Sequence, residues 1–183
     1  MQRVFVITPA APVVTLEEAK QHLRVDGDDE DASIVGLVAA ASAQIDGPDG
    51  WLGRSVGEQV LEVGLDGFVY DPIRLPYAPV LSIESIRYED AGGEWRTLDP
   101  AVYELRDDLV GTAWSKEWPR TRAYRGCSRT VLIRYRAGYA ALPAPIRVAV
   151  LMMTAHFYRN RGSDDAALPR AVEMLLQPYR VFA

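Results

Sequence analysis

Residues 28–48 read DDEDASIVGLVAAASAQIDGP, an acidic opening followed by an apolar repeat and a glycine–proline stop. Negative charges in a first turn complement the positive end of the helix dipole. The apolar side chains then recur at helical spacing, at Ile34, Leu37, Val38, Ala41 and Ile45. The stretch predicts an amphipathic helix that begins in the acidic run and is stopped by Gly47-Pro48.

A shorter helix is predicted just upstream of this one. Thr15-Leu16-Glu17-Glu18 has the form of a capping box, in which the Thr15 hydroxyl accepts a first-turn N–H and Glu18 reaches back to the cap. Apolar residues follow on one face, and Asp26-Gly27 breaks the pattern. The chain therefore starts with two helices in succession.

The apolar period changes to two from about residue 54 to residue 136. Residues 86–88 and 95–97 flank a turn centred on Asp90-Ala91-Gly92-Gly93, which predicts a hairpin. Prolines recur in the region and have no backbone N–H to donate to a neighbouring strand, so we expect its strands to be short or to lie at sheet edges. The alternating sets are Leu61/Val63/Leu65, Leu81/Ile83 and Val131/Ile133/Tyr135.

Helical periodicity returns after Pro143 and Pro145, and again from Leu168 to Gln177. The predicted fold class is α+β, a small bundle of about four helices with a β-rich insertion between the second and third. The division we expect is a helical body, N-terminal part (1–53), a β-rich insertion (54–136), a helical body, C-terminal part (137–177), and a C-terminal tail (178–183).

Composition narrows the class of protein. The 183 residues, 49% of them apolar, predict one good core; they leave room for a small second module, and two full domains are not expected. A net charge of -5 disfavours tight nucleic-acid binding, and the single Cys127 excludes an intrachain disulfide. No export signal is visible, and the longest apolar run, 148–155, is too short to span a bilayer, so we expect a soluble protein.

Motifs for catalysis or metal binding are weak in this sequence. His22 and His156 have no companion at metal-ligand spacing, so structural roles are favoured. The acids of residues 26–30 resemble the first half of a calcium-binding loop. The position that requires glycine is Asp31, however, and the position that requires a bidentate acid is Leu37, so helix capping is the favoured interpretation. Cys127 lacks an evident base, and no phosphate-binding loop or nucleophile elbow is present. We expect no catalytic, cofactor or metal site.

Two segments are candidates for contact with a partner. One loop groups four arginines and could touch DNA phosphates or an acidic partner, although a solvated loop explains it equally well: Arg120, Arg122, Arg125 and Arg129. The tail carries two aromatic residues and a cation behind a helix stop, and docking on another chain is favoured over a frayed end: Pro178, Tyr179, Arg180, Val181, Phe182 and Ala183.

Several segments, in their order and spacing, resemble the head-to-tail connector or adaptor proteins of long-tailed phages, prophages and gene transfer agents. The resemblance covers most of the chain and departs from the family pattern mainly at residues 47–53 and 110–127. The segments that carry it are residues 14–20 (VTLEEAK), 22–26 (HLRVD), 75–80 (LPYAPV), 82–86 (SIESI), 137–139 (AGY), 143–147 (PAPIR), 155–161 (AHFYRNR), 172–176 (VEMLL) and 178–181 (PYRV).

The resemblance implies a structural protein of the virion that accumulates in the host cytoplasm before assembly. It implies a ring of about twelve copies beneath the portal protein, closed by heterologous contacts, with DNA passing through its channel without sequence-specific binding. The helices would form the ring, and the tail would dock on the portal or on a neighbouring copy. Stopper or tail proteins are the other partners that it implies, and no membrane is involved.

Three alternatives remain open at this point. The chain could be a stopper or tail-completion protein of the same kind of particle. It could be a small enzyme with a site in the β insertion at Asp107, Asp108 and the arginine loop. It could also be a binding module that holds a ligand on Trp95, Trp114 and Trp118, although such aromatics more often belong to a core.

Overall fold

The computed structural model describes residues 3–69, 71–122, 129–160 and 168–181 of the chain. The chain folds into two compact units, each with an apolar core of its own. Residues 10–57 and 139–183 form one of them, here named the helical unit. Residues 1–9 and 58–138 form the other, here named the β unit.

The described part of the helical unit contains four α-helices, and the first begins at the predicted capping box. The Glu18 N–H donates to the Thr15 hydroxyl at 3.2 Å, and the Thr15 N–H donates to the Glu18 carboxylate at 2.8 Å. Two first-turn amides therefore have partners that the sequence supplies locally. The helices are α1 Leu16–Leu23, α2 Asp31–Ile45, α3 Ala144–Arg159 and α4 Arg170–Leu176.

The apolar faces of α2, α3 and α4 contribute most of the core of the helical unit. These positions repeat every three or four residues, so they lie on one side of their helix and leave water together. Each fully buried leucine, isoleucine or valine contributes about 2 kcal/mol. The stripes consist of Ile34, Val38, Ala41 and Ile45 on α2, Ile146, Ala149, Val150 and Met153 on α3, and Val172 and Leu176 on α4.

Two antiparallel sheets form the β unit. The larger sheet has five strands in the order β1-β2-β8-β4-β5, and the smaller has three in the order β3-β7-β6. Their bounds are β1 Arg3–Thr8, β2 Gln59–Leu65, β3 Ile73–Arg74, β4 Val80–Glu89, β5 Trp95–Thr97, β6 Tyr103–Arg106, β7 Leu109–Thr112 and β8 Val131–Ala137.

The predicted alternation places one face of β2 and β8 in the core of the β unit. Leu61, Val63, Ile133 and Tyr135 are all fully buried there, together with residues of the smaller sheet. The Tyr135 hydroxyl donates to the carbonyl of Pro76 at 2.8 Å, and burial raises the pKa of this phenol. Because the phenol hydroxyl has an acceptor, burying it does not leave an unpaired polar group.

The predicted hairpin is confirmed. Arg87 pairs with Thr97 and Glu89 pairs with Trp95 across β4 and β5. The turn closes through the Gly93 N–H, which donates to the carbonyl of Asp90 at 2.9 Å, and Gly93 has a positive φ of 88°. Glycine suits this position because it has no Cβ to clash in the left-handed region.

The fold class read from the sequence is confirmed, with the β-rich region between α2 and α3. The first residues differ from the expected division, which placed them in the helical body. They form β1 and belong to the β unit, where Arg3 pairs with Gly64 and Phe5 with Glu62. Partners this far apart in sequence leave no local signal. No helix in the described residues is long and apolar enough to cross a membrane.

Candidate functional site

The described part of the C-terminal tail lies against a loop of its own unit. A single 3-10 turn, Gln177–Tyr179, follows α4 and leads into Arg180 and Val181. The Val181 N–H donates to the carbonyl of Leu52 at 2.9 Å, and the Arg180 guanidinium lies 4.1 Å from the centre of the Trp51 ring. We name residues 177–181 the C-terminal segment and residues 46–57 the cradle loop.

Asp46, the residue that follows the C-terminal end of α2, holds the cradle loop in place through hydrogen bonds. The Asp46 carboxylate accepts hydrogen bonds from the Val56 N–H at 2.7 Å and the Gly57 N–H at 2.8 Å. The Gly47 N–H donates to the Arg54 carbonyl at 3.0 Å, which closes the loop on itself. Leu52 is fully buried in the helical core, so the loop is anchored by packing as well as by hydrogen bonds.

Gly53 allows the C-terminal segment to approach the cradle loop closely. Its φ is +63°, a left-handed conformation, and a Cβ placed there would lie 2.6 Å from the carbonyl oxygen of Val181. No side chain fits that gap, and every L-residue other than glycine is also strained in that conformation. The loop and the segment are therefore matched in shape at this position.

This contact differs from the sequence-based expectation, which considered only docking on another chain or a frayed end for the tail. Trp51, Leu52 and Gly53 were missed because Gly47-Pro48 indicated only where α2 ends. A turn rich in glycine that contains a tryptophan was the one available signal. Docking of the tail on another chain stays a prediction, and Phe182 and Ala183 lie outside the described residues.

The predicted arginine cluster is not one patch in the described residues. Arg122 donates to the Glu89 carboxylate at 2.8 Å beside β4, whereas the Arg129 guanidinium lies 4.6 Å from the centre of the Phe5 ring on β1. Strands β2 and β8 separate β1 from β4, which keeps these two arginines apart. Arg120 is exposed, and Arg125 lies outside the described residues, as does Cys127.

The two histidines share a cleft that their sequence positions did not suggest. His22 and His156 line a cleft of ≈ 310 Å³ beside Met152. His156 Nδ1 lies 3.0 Å from the side-chain amide nitrogen of Asn160. Among the described residues, no group of three or more histidines, cysteines or acids is placed to hold a metal ion.

The acidic run before α2 makes ion pairs. Lys20 Nζ lies 2.9 Å from the Asp28 carboxylate and 2.7 Å from the Asp31 carboxylate. Both carboxylates raise the pKa of Lys20, chiefly through hydrogen bonds, that of Asp31 first. This geometry ties α1 to the start of α2.

The residues named for the enzyme and ligand-binding alternatives are dispersed. Asp108 pairs with Arg74 at 2.6 Å, and Trp118 stacks on Phe68 with 4.6 Å between ring centres. Trp114 is 92% exposed, whereas Trp95 lies beside an arginine on β4. The described structure therefore does not bring the three tryptophans together as a ligand platform.

Comparison with known proteins identifies a protein family whose model matches this chain. A family model described as head completion protein matches residues 12–182. A chain from the neck of an empty gene transfer agent particle, computed with sixfold symmetry, has a TM-score of 0.77 at 24% identity, covering 99% of this chain and 96% of that chain. No curated protein matches the sequence at a significant level.

Two further solved structures share the fold. A chain of the virion of a native gene transfer agent particle has a TM-score of 0.76 at 25% identity, covering 98% of this chain and 96% of that one. A chain from the neck of a native particle, computed with twelvefold symmetry, has a TM-score of 0.68 at 24% identity, covering 97% and 96%. Because the family model spans nearly the whole sequence, this chain belongs to the head completion protein family and is a structural connector between head and tail.

Proposed function

We propose that this protein assembles as a ring in the neck of a phage-type particle, beneath the portal protein, and joins the DNA-filled head to the tail. The observation that carries the proposal is the similarity over 97% to 99% of the chain to neck proteins from particles computed with sixfold and twelvefold symmetry. A ring of about twelve copies is closed by heterologous contacts, in which each copy presents two different surfaces.

The charge of the chain suits a channel through which DNA passes. With a net charge of -5, a ring of many copies is strongly acidic. Carboxylates repel phosphates, so DNA moves past such a ring without being held by it. This proposal needs no sequence-specific contact with DNA.

The C-terminal segment is the proposed contact with the portal protein or a neighbouring copy. Among the described contacts that hold this segment are the Val181–Leu52 backbone hydrogen bond, the Arg180–Trp51 cation–π contact and the packing of Tyr179 against the helical core. Val181 keeps 43% of its surface exposed. The exposed part of Val181 is apolar surface that a partner can cover.

We further propose that the role is structural and not enzymatic. The two described carboxylates with a clear pKa shift are Glu18 and Asp90, and both pKa values are lowered. The first cause is a backbone hydrogen bond at Thr15 for Glu18 and the Arg96 hydrogen bond for Asp90. Such acids stay ionised and are poor proton donors at neutral pH.

Before assembly the protein resides in the host cytoplasm, and afterwards in the virion.

The test uses particles that lack this protein and contain the portal. The variant Val181→Asp places a charge in the exposed C-terminal segment, and Val35→Asp places one on α2, where Val35 is 51% exposed. We expect wild type and Val35→Asp to bind the heads and restore joining to tails, and Val181→Asp to bind at least about tenfold more weakly.

Equal binding by both variants would overturn docking through the C-terminal segment. Wild-type protein that binds tails or a later neck component but not portal-bearing heads would support the stopper or tail-completion alternative. Failure of the wild type to restore joining would refute the connector function altogether.

A further inference from the structure

The outer face of the five-stranded sheet carries arginines stacked on aromatic rings. Arg3 and Arg129 lie over the ring of Phe5 on the edge strand β1, with their guanidinium carbons 5.5 and 4.6 Å from the ring centre. On the other side of the same face the Arg87 guanidinium lies 5.5 Å from the centre of the Trp95 ring. We name these five residues the arginine face.

The three arginines of this face differ from their neighbours on β8. Arg134 donates twice to the Glu62 carboxylate, at 2.8 and 3.0 Å, and Arg136 lies 2.6 Å from the Glu58 carboxylate. In the described residues, Arg3, Arg87 and Arg129 make no ion pair with a carboxylate. Each of their guanidinium groups lies over an aromatic ring instead, so no described carboxylate is paired with its charge.

A groove crosses this face and has the composition of a protein interface. It has a volume of ≈ 710 Å³ and is lined by Phe5, Val6, Ile7, Glu62, Trp95, Arg129 and Leu132. Glu62, the one acid in this lining, already accepts two hydrogen bonds from Arg134. Val6 is 47% exposed and Trp95 is 44% exposed. Arginine and aromatic side chains are enriched at the centres of interfaces, and an exposed apolar patch of this kind indicates a binding surface.

A surface of opposite charge lies on the helical unit of the same chain. The turn between α1 and α2 exposes Asp26, Asp28 and Asp29, which we name the acidic turn, and 91% of the Asp28 side chain is accessible. Within the described residues, Asp26 and Asp29 make no ion pair. Twelve acidic and eight basic residues fall in the helical unit, so its charge is negative.

We propose that the arginine face of one copy binds the acidic turn of the neighbouring copy and that this is a ring-closing contact. The inference rests on the proposed ring, and charge complementarity selects the occupant. A heterologous ring needs two different, mutually complementary surfaces on each copy, and these two meet that requirement. The apolar groove supplies the desolvated centre, and the guanidinium–carboxylate pairs set the register.

Charge exchange tests the contact. One variant carries Arg87→Glu with Arg129→Glu, and a second carries Asp26→Arg with Asp29→Arg. Each face then repels its counterpart on an identical copy, but in a mixture every contact between the two variants joins opposite charges. The control Arg106→Glu makes one such Arg→Glu change, half of the charge change of the arginine variant, on β6, where the Arg106 side chain is 81% exposed.

The measurement is the number of copies retained on portal-bearing heads at increasing protein concentration, with circular dichroism of each variant to verify folding. We expect each double variant alone to need a roughly hundredfold higher concentration than wild type, and the equimolar mixture to recover to within about threefold. Arg106→Glu should match wild type.

Normal binding by the arginine variant would overturn the proposal, as would loss of binding in both variants without recovery in the mixture. An arginine variant that fails while the aspartate variant binds normally would also overturn it, and would indicate that the face contacts another component. Wild-type protein that does not load onto heads would refute the proposed ring itself, which is a separate result.

Discussion

In the helical unit, two arginines have their partners inside the unit: Arg147 pairs with Glu18 at 2.7 Å, and the Arg54 guanidinium donates to the Tyr139 hydroxyl at 2.9 Å. In the β unit, Arg87 and Arg129 lie on aromatic rings and make no ion pair with a described residue. An arginine that stabilises its own fold has its partner in the same chain. An arginine left on an exposed ring is available to a partner.

The largest expected effect is a loss of stability when the core of either unit is disrupted. Ile146 on α3 and Ile133 on β8 are both fully buried, so replacing either with alanine removes the same atoms from a different unit. Each substitution should lower the free energy of unfolding by about 2–5 kcal/mol, because the cavity adds to the lost burial. Urea denaturation measures the loss, and hydrogen exchange shows which unit opens first.

Val35→Ala on the exposed side of α2 is the control and should change stability by less than about 0.5 kcal/mol. A loss below about 1 kcal/mol in either isoleucine variant would contradict the description of that core. Opening of both units to the same extent in one variant would show that the two cores unfold together.

The next effect tests the cradle loop. Asp46→Ala removes the acceptor of two backbone N–H groups and should cost about 2 kcal/mol, because two partly buried amides lose a charged partner. Asp49→Ala is the matched control, since Asp49 is exposed on the same loop. Thermal unfolding measures both variants, and equal melting temperatures would argue against an anchoring role for Asp46.

Gly53→Ala should release the C-terminal segment, because the new Cβ would displace the Val181 carbonyl. Gly27→Ala controls for backbone strain, since Gly27 also has a positive φ, of 82°, but has open space around its Cβ position. Both should lose about 1 kcal/mol to strain, and Gly53→Ala about 1 kcal/mol more. Amide exchange at Val181 should accelerate at least about fivefold in Gly53→Ala only; unchanged exchange would contradict the cradle contact.

The smallest expected effect concerns pH and the start of α1. The backbone hydrogen bond at Thr15 is the first cause that lowers the pKa of Glu18 from its ordinary 4.5. A lowered carboxyl pKa stabilises the fold above about pH 4.5, and that stability is lost as pH falls through the lowered pKa. Glu18→Gln should cost less than about 1 kcal/mol at pH 7, because the group is partly exposed.

The Glu18 difference should shrink as the pH falls below about 4.5, because protonation of Glu18 removes the charge that glutamine lacks. Unfolding curves of wild type and Glu18→Gln at pH 7 and at pH 3 make the comparison. A constant difference at both pH values would show that the glutamine acts through packing and not through charge.

Much of the fold could be predicted because its signals are local. The Thr15–Glu18 capping box, the α2 stripe that ends at Ile45 and the turn around Gly93 each depend on residues within a few positions of one another. The candidate site was harder to predict, since the tail was identified as a contact segment while the loop that holds it was not. The arginines near residue 125 were grouped by sequence proximity, and the sheet then separated Arg122 from Arg129.

The amino-acid sequence by itself determined the helices, the alternating strands and the acidic character, since side-chain periodicity and charge are properties of neighbouring residues. Only the tertiary structure decided that β1 joins β2, that Val181 meets Leu52 and that Phe5 and Trp95 share one face with arginines that pair with no carboxylate in the described part of the chain. Those contacts join residues far apart along the chain, and their free energy depends on both partners being brought together by the fold.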